Sequence, residues 1–181
     1  MSLFPHKRII VIGVTGAGKS TLASRLAEKL GVRHIELDAL YWRPNWVGTP
    51  DDEFALKVWN AISEDAWIMD GNYSRLRQMT WSRADAIVWL DYPLPLVFWR
   101  LFTRTVRRSI TREELWNTNI ESFWTQLKLW SDDSLFHWLF QTYWRRKRMY
   151  SLLLASAEYS HLGIFHFKKL DEVEKWFESI S

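Results

Sequence analysis

The sequence predicts an α/β fold of three layers, in which helices cover both faces of a five-stranded parallel sheet. Five short segments, mostly apolar, alternate along the chain with longer segments of helical periodicity. Runs of this kind are typical of strands that are buried on both faces. The length of 181 residues suits one domain with an insertion.

The five predicted strands are rich in apolar residues, and three of them end in an aspartate. They are Lys7–Ile12, His34–Asp38, Ala66–Asp70, Ala86–Asp91 and Ile164–Phe167. In an open parallel sheet the carboxyl ends of the strands form the edge where ligands bind. We therefore expect Asp38, Asp70 and Asp91 to lie near a ligand, although each aspartate could instead only begin a turn.

The predicted helices begin and end at known sequence signals. The first spans Lys19–Leu30, with leucines on one face and Gly31 at the position of a C-cap. The second begins with Thr49 as N-cap and Pro50 as its first residue. A third helix follows the fourth strand, and a closing helix begins at Asp171. Each helix has an apolar face for the sheet.

The stretch between the fourth and fifth strands is far longer than one connection needs. We predict one domain over 1–181, with about 109–143 as a helical lid insertion. Capping-box patterns at Thr111–Glu114 and Thr118–Glu121 predict a broken helix over about 111–131, followed by another long helix. The sequence leaves open whether this tryptophan-rich insertion is a moving lid or an interface between copies.

Composition and charge exclude several classes of protein. The net charge of +3 does not suit a protein that packages DNA, and the absence of cysteine excludes disulfides and thiolate-bound metals. The five histidines show no metal-ligand spacing. No segment resembles a signal peptide or a membrane span, so we expect a cytoplasmic protein with no membrane partner. The oligomeric state is not specified.

The most specific motif is a glycine-rich loop, Gly13–Ser20, with the pattern G-x-x-x-x-G-K-[ST]. Its glycines let backbone N–H groups converge on phosphate oxygens, and the first turn of the next helix adds more. Lys19 would reach the outer phosphates of ATP, and the Ser20 hydroxyl would bind Mg²⁺. A buried strand before the loop and an amphipathic helix after it argue against a chance glycine turn.

The predicted phosphate contacts all lie in this loop or in the first turn of the helix after it. They are Gly13, Thr15, Gly16, Ala17, Gly18, Lys19, Ser20 and Thr21. The cofactors that this site implies are ATP and Mg²⁺.

Several further segments resemble the adenylate-kinase-like group of P-loop kinases, and most closely a bacterial branch often called DNA topology modulation protein. They are HIELDALYW at 34–42, WIMDGNY at 67–73, ADAIVWLDYP at 84–93, WRLFTRTVRR at 99–108 and YWRRKRM at 143–149. With the loop they cover most of the chain, but only the loop is specific for a nucleoside triphosphate. The resemblance implies a P-loop NTPase fold, an acceptor site after the second strand and an arginine-rich lid.

The resemblance also implies roles for two aspartates. Asp38 corresponds to the acid near the acceptor, and Asp70 resembles the acid that orients the water ligands of Mg²⁺. One departure concerns the acceptor, because adenylate kinases follow their DG pair with a Phe-Pro-Arg type of sequence and this chain has Asn72–Arg75 there. Arg75 and Arg77 are the only nearby arginines that could grip an acceptor phosphate.

Arginines of the predicted lid resemble those that such kinases place over the transferring phosphate or the base. Arg104 and Arg108 come before the insertion, and Arg145 and Arg148 return from it. The resemblance places the adenine ring near a loop at 168–170. Guanidinium groups suit phosphate oxygens, although any single arginine could equally belong to a solvated face with acidic neighbours.

Tryptophan is unusually frequent, with 13 residues. Stacking on nucleic-acid bases could explain this, but most tryptophans, such as Trp124, lie at helical spacing with apolar residues, which favours core packing. Tyr41 and Trp42 are the exception, since they follow Asp38 and could wall an aromatic or sugar acceptor. His34 is expected to be a strand residue without a chemical role.

Taken together, these patterns predict an ATP- and Mg²⁺-dependent phosphotransferase that acts on a small acceptor. The predicted catalytic residues are Lys19, Asp38, Asp70, Arg104, Arg108 and Arg145, and the predicted metal ligands are Ser20 and Asp70. Two alternatives remain open: a regulatory or DNA-associated protein that binds ATP, and a plain NTPase in which water replaces the acceptor. A nucleic-acid partner is not favoured, and the sequence specifies neither the acceptor nor the base of the nucleotide.

Overall fold

The computed structural model describes residues 4–71, 73–111, 114–120 and 134–180. Five parallel strands form the central sheet in the order β2-β5-β1-β6-β9, which confirms the predicted fold class. The strands are β1 Arg8–Gly13, β2 Arg33–Glu36, β3 Trp42–Arg43, β4 Val47–Gly48, β5 Trp67–Asp70, β6 Ala86–Leu90, β7 Glu114–Leu115, β8 Asn119–Ile120 and β9 Gly163–Phe167. The helices are α1 Lys19–Leu30, α2 Leu37–Tyr41, α3 Asp51–Ala61, α4 Arg77–Trp81, α5 Leu94–Thr111, α6 Leu135–Leu154 and α7 Leu170–Ser179.

The core has two halves, one on each face of the sheet. Successive residues of β1 alternate between them, because side chains of a strand point to opposite faces. Ile9 and Val11 pack in one half with residues of α1, α5, α6 and α7. Ile10 and Ile12 pack in the other half with residues of α3 and with Trp67. All four β1 residues are at most 1% exposed, which explains the uninterrupted apolar run in the sequence.

The strand register brings the predicted site residues to one edge of the sheet. Asp70, the last residue of β5, lies opposite Val11 of β1 and Glu36 of β2. Gly13, where the glycine-rich loop begins, lies opposite Leu90 at the end of β6. The loop and the carboxylate at the end of β5 therefore start from neighbouring strands.

The predicted helix over about 111–131 is wrong where the structure describes that segment. β7 and β8 pair as an antiparallel hairpin, joined by a three-residue turn. Asn117 and Thr118 have φ angles of 56° and 64°, which no α-helix contains. Asparagine tolerates this left-handed conformation, and this turn preference outweighs the capping-box pattern. The rest of the predicted helix, with Trp124, lies outside the described residues.

Three smaller boundaries also differ from the prediction. The second strand ends at Glu36, so Asp38 lies on the short helix α2. Thr49 does not cap α3, because its hydroxyl donates to the carbonyl oxygens of Leu40 and Tyr41. The helix predicted over about 133–159 is α6, which begins after Ser134 and ends at Leu154; the Ser134 side chain caps it by accepting a hydrogen bond from an N–H of its first turn.

Some of the tryptophans pack in the core, whereas others lie at the surface. Trp67, Trp81 and Trp89 are buried, as predicted. Trp99 and Trp144 are 61% and 68% exposed, on α5 and α6. In the described part of the chain, no helix has the length and apolar character that a membrane crossing requires.

Candidate active site

The glycine-rich loop joins β1 to α1, and close contacts require its glycines. A Cβ at Gly13 would lie 2.8 Å from the carbonyl oxygen of Leu90. Gly18, with a φ of 90°, precedes α1, and a Cβ there would lie 2.6 Å from a guanidinium nitrogen of Arg100. The loop thus packs against β6 and α5, and its backbone can approach a polyphosphate closely.

The Lys19 side chain folds back over this loop. Its ammonium donates a hydrogen bond of 3.1 Å to the carbonyl oxygen of Val14. Thr15 is half-buried in the loop, and Thr21 is exposed in the first turn of α1. The N–H groups of this turn and the positive end of the helix dipole face the direction from which a phosphate would approach.

Ser20 and Asp70 meet where α1 passes the end of β5. The Ser20 hydroxyl donates to one carboxylate oxygen of Asp70 at 3.2 Å, and Nε2 of His34 lies 2.9 Å from the other. Asp70 is only 1% exposed. A hydroxyl and a carboxylate beside a phosphate loop are the hard oxygen donors that Mg²⁺ prefers, so these residues fit the predicted ion.

Mg²⁺ at this position would share its ligands with water and with the nucleotide. Among the described residues, no group of three or more His, Asp or Glu side chains is placed to hold a metal by itself. Mg²⁺ commonly takes one or two protein oxygens and completes its octahedral shell with phosphate oxygens and water. Ser20 and Asp70 are sufficient for that arrangement.

His34, expected to be a strand residue without a chemical role, contacts Asp70 in the structure. His34 and Glu36 are two residues apart in β2, so their side chains leave the same face of the strand. Because β2 pairs with β5, both lie close to Asp70. This contact could have been identified by predicting which strands pair in the sheet, in addition to where each strand lies in the sequence.

Charged groups from several elements converge on Lys19. Burial lowers the pKa of Lys19 to about 8, the charge of Asp70 opposes this shift, and Arg146 adds to it. Asp38 and Arg104 act on the same ammonium with smaller effects. Residues of α1, α2, β5, α5 and α6 therefore lie around the ammonium group of Lys19.

Asp38 lies in a different environment from Asp70. Its carboxylate accepts a hydrogen bond of 2.7 Å from the Tyr73 hydroxyl. Burial raises the pKa of Asp38, although Tyr73 and the charge of Lys19 oppose the shift. Burial and the nearby Asp38 charge also raise the pKa of Tyr73, which therefore stays a hydrogen-bond donor. A carboxylate with a raised pKa is a stronger proton acceptor than a solvated one.

The arginines of α5 lie on two different faces of the helix. Arg100, Arg104 and Arg108 are half-buried and four residues apart, so they form one row along the helix, while Arg107 is exposed. Arg100 packs on Gly18 of the loop, and the charge of Arg104 acts on Lys19. The row therefore extends from the loop towards the insertion, and the role of Arg108 stays a prediction.

In the basic cluster at 145–148 of α6, which was predicted as a set to bind phosphate, the member that faces Lys19 is Arg146 and not Arg145, the predicted catalytic arginine. Arg145 and Arg148 are exposed, whereas Arg146 is half-buried and its charge acts on Lys19. Burial lowers the pKa of Arg146, and Asp38 opposes that shift. The helical phase explains the difference, since residue 146 is four positions before the buried Tyr150.

Arg75 and Arg77, the two nearby candidates for gripping an acceptor phosphate, have other partners. Arg75 pairs with Asp51 at 2.5 Å and stacks on aromatic rings, the nearest being Tyr41 at 5.1 Å. Arg77 lies over Trp81 and donates to the sulfur of Met149. Neither contact directs a guanidinium group at Asp38.

Asp91, the third aspartate of the strand ends, is part of a separate ion-pair cluster. One of its oxygens lies 3.0 Å from the ammonium of Lys147, and the other lies 3.0 Å from Nε2 of His166. The His166 ring stacks on Trp89 with 4.0 Å between centroids. These contacts tie α6 and β9 to the end of β6, which supports a structural role for Asp91.

Aromatic side chains cluster beside Asp38, and Tyr41 and Trp42, the predicted acceptor wall, belong to this cluster. The Tyr41 ring packs edge-on against Trp42 at 4.8 Å and also contacts Tyr73 at 5.1 Å. Trp46 extends this wall, with its ring 5.5 Å from Trp42. Asp38, through its hydrogen bond with Tyr73, therefore lies next to a cluster of aromatic rings, which we call the aromatic wall.

Comparison with known proteins agrees with this architecture. A shikimate kinase from Synechococcus elongatus is 24% identical over 132 residues, which cover 65% of this chain and 69% of the relative. The structure of shikimate kinase from Acinetobacter baumannii in complex with shikimate has a TM-score of 0.59 at 17% identity, covering 96% of this chain and 90% of that chain. No family model matches the chain.

A second solved structure shows the same fold. Shikimate kinase from Bacteroides thetaiotaomicron has a TM-score of 0.52 at 18% identity, covering 96% of this chain and 95% of that chain. The fold and the phosphate loop define the class of P-loop nucleotide-binding proteins, and the relatives support a phosphotransferase whose acceptor is unspecified. Within this class the chain is similar to shikimate kinases, and these relatives do not confirm the narrower resemblance to the DNA topology modulation branch.

Proposed function

We propose that the protein transfers the γ-phosphoryl group of ATP, with Mg²⁺, to a hydroxyl group of a small acceptor. The observation that carries this proposal is the placement of two carboxylates around Lys19. Asp70 lies beside Ser20 at the phosphate loop, and Asp38 lies beside Tyr73 on the aromatic wall. The first suits a metal-bound nucleotide, and the second suits an acceptor hydroxyl. The names of the relatives, which include a complex with shikimate, also support a small-molecule acceptor.

The proposed reaction is an in-line displacement at the γ-phosphorus. The acceptor oxygen forms a bond to phosphorus while the bond to the oxygen that bridges the β- and γ-phosphates breaks, and ADP leaves. Asp38 accepts the hydroxyl proton, and the Tyr73 hydrogen bond holds its carboxylate in position. When bound, Mg²⁺ would neutralise charge on the β- and γ-phosphates next to Ser20 and Asp70.

The arginines supply positive charge where the transferring group would pass. Arg100 lies against the loop, and Arg104 and Arg146 act electrostatically on Lys19, beside which the γ-phosphate would bind. Phosphoryl transfer depends chiefly on positioning and on such charge neutralisation. Arg104 and Arg146 come from α5 and α6, the two helices that flank the insertion, so both helices contribute charge to the same position.

The acceptor pocket favours a hydroxylated molecule with an apolar ring face over a nucleoside monophosphate. Arg75 and Arg77, the predicted phosphate-gripping arginines, have other partners. The wall beside Asp38 is formed by Tyr41 and Trp42, whose rings suit the apolar faces of cyclic polyols. We therefore propose a cyclic or sugar-like acceptor.

An assay of ADP release with a panel of acceptors tests the proposal. The panel contains cyclic polyols, hydroxy acids, sugars and nucleoside monophosphates, each with ATP and Mg²⁺, and duplex DNA is added as a separate arm. We expect one small hydroxylated compound to raise ADP release at least about tenfold, and Asp38→Asn to abolish this stimulation. Release that no small molecule stimulates would indicate a plain NTPase, and stimulation by DNA alone would indicate the DNA-associated alternative.

A further inference from the structure

Two β-hairpins with the same type of turn contact each other on the acceptor side of the site. The acceptor hairpin, 42–48, consists of β3 and β4 and follows the helix that carries Asp38. The insertion hairpin, 114–120, consists of β7 and β8. Each has a three-residue turn whose last two residues have positive φ angles, Asn45–Trp46 in one and Asn117–Thr118 in the other. The two turns are in contact with each other.

Asn119 joins the insertion hairpin to the backbone of the acceptor hairpin. Its side-chain oxygen accepts a hydrogen bond of 2.8 Å from the N–H of Trp46, and its side-chain nitrogen donates to the carbonyl oxygen of Arg43 at 3.0 Å. The same nitrogen donates to the carbonyl oxygen of Trp116 at 2.7 Å. Asn119 is 3% exposed, so this amide is buried and its hydrogen-bonding capacity is used across the contact.

Two more side chains of the insertion hairpin reach the acceptor side. Asn117 donates a side-chain hydrogen bond to the carbonyl oxygen of Trp42. Trp116 packs edge-on against Trp46, with 6.3 Å between ring centroids, and its side chain hydrogen-bonds with Glu36. Glu36 lies opposite Asp70 in the sheet register. The insertion hairpin therefore contacts both the aromatic wall and an acid next to the candidate metal site.

The backbone of both turns indicates that their contact is specific. Trp46 and Thr118 have φ angles of 57° and 64°, which bulky and β-branched residues rarely adopt. Such backbone conformations persist where surrounding residues stabilise them. The conformation of Trp46 is stabilised by the hydrogen bond that its N–H donates to Asn119 of the other hairpin.

We propose that Asn119 and Trp116 are positioning residues, which hold the acceptor hairpin in place through its main chain and thereby fix the acceptor side of the site. The proposal deepens the proposed function and rests on it for the assignment of this side to the acceptor. Asn119 fixes the approach of the two hairpins, and Trp116 adds a ring and an N–H donor beside Glu36. The occupant it fits is a small acceptor that binds beside the aromatic wall.

A distance measurement tests the docking without any enzymatic turnover. Because the chain has no cysteine, cysteines at Val47 and Glu114, both exposed, can carry two spin labels. With a non-hydrolysable ATP analogue bound, we expect one short and narrow distance distribution. Asn119→Ala should broaden and lengthen it, and Asn60→Ala, an exposed asparagine of α3, is the matched control that should leave it narrow. A distribution unchanged by Asn119→Ala, or broad in the parent protein, would overturn the proposal.

Kinetics separate positioning from a general structural role. With the most active acceptor of the panel, we expect Asn119→Ala to raise the KM of the acceptor about tenfold, the effect of losing one or two hydrogen bonds. The Kd of the ATP analogue, measured by calorimetry without acceptor, should change less than about twofold, which is a difference of about 0.4 kcal/mol. Trp116→Phe keeps the ring and removes the N–H group, and it should also raise the acceptor KM.

The acceptor panel and the Asn119→Ala measurements test different claims. A panel without an active acceptor would count against the proposed function and leave the distance result standing. Equal losses of acceptor and nucleotide affinity in Asn119→Ala would show a general structural effect and would overturn the positioning role. A circular-dichroism melt of each variant confirms that the compared proteins are folded.

Discussion

Ser20 and Asp70 are joined by a hydrogen bond of 3.2 Å between a helix that starts at the phosphate loop and the neighbouring strand end. The other oxygen of Asp70 lies 2.9 Å from His34. A buried carboxylate with a partner on each oxygen has a fixed orientation, which is what a metal site requires. From this relationship we predict that His34 positions Asp70 for the candidate Mg²⁺ site.

The first prediction concerns His34. His34→Ala removes the partner of one Asp70 oxygen, and we expect the Mg²⁺ concentration for half-maximal activity to rise about tenfold. A Mg²⁺ titration of ADP release at saturating ATP measures it. His161→Ala is the control, because His161 contacts the carbonyl oxygen of Trp81, on α4. Identical Mg²⁺ curves for His34→Ala and the unmodified protein would rule out this role.

Asp38→Asn is expected to lower kcat by about 10²- to 10⁴-fold, because the amide does not accept the acceptor proton. ATP affinity should stay within a few-fold, since the loop and Lys19 are intact. Tyr73→Phe removes only the hydrogen bond to Asp38 and should cost much less, on the order of tenfold. Stopped assays of product formation and calorimetry with an ATP analogue compare the three proteins. A normal kcat in Asp38→Asn would exclude a proton acceptor at this position.

The arginine row of α5 offers a matched pair of variants. Arg104→Ala removes a half-buried charge that acts on Lys19, and we expect turnover to fall about 10²-fold or more with a smaller loss of nucleotide affinity. Arg107→Ala, three residues along the same helix and exposed, should leave turnover nearly unchanged. Similar rates for the two variants would contradict the assignment of α5 to the transferring phosphate.

The pKa of Lys19 predicts how nucleotide affinity depends on pH. In the free protein burial lowers this pKa to about 8, and a bound polyphosphate would raise it again because the charged form is then favoured. Below pH 8 the ammonium is already charged and affinity should be flat. Above pH 8 binding requires proton uptake, so the Kd should rise by up to about tenfold per pH unit.

Calorimetry with an ATP analogue between pH 7 and 9.5 measures this dependence. Repeating the titration in buffers of different ionisation enthalpy measures the number of protons that are taken up on binding. Lys19→Arg supplies the control, because a guanidinium group stays charged over the whole range and its Kd should not follow the same slope. A Kd of the unmodified protein that is level from pH 8 to 9.5 would refute the lowered pKa.

The sequence was sufficient for the parts of the structure that local patterns determine. Buried strands such as β1 are near-continuous apolar runs, and the glycine-rich loop has a fixed length and order. Those patterns predicted the sheet and the position of Asp70 at its carboxyl edge, while the pairing of Ser20 with Asp70 as metal ligands was implied by the resemblance. The prediction worked because the carboxyl ends of parallel strands meet at one edge whatever the remaining sequence is.

Contacts between distant segments were not predictable in the same way. The contact of His34 with Asp70 depends on which strands are neighbours, and Arg146 differs from Arg145 only by helical phase. The insertion was predicted as helix because Thr118–Glu121 resembles a capping box. The left-handed backbone at Asn117 is stabilised by a turn, and a propensity argument gives too little weight to that alternative.

The contact of Asn119 with the acceptor hairpin has a consequence for protein engineering. Asn119 binds a carbonyl oxygen and an N–H group of the main chain, at Arg43 and Trp46, and neither side chain takes part in those bonds. Side chains that line the pocket could therefore be redesigned for a new acceptor while the two segments still associate. What a redesign must preserve is the shape of the three-residue turn, so libraries should vary Trp42 and keep Asn45.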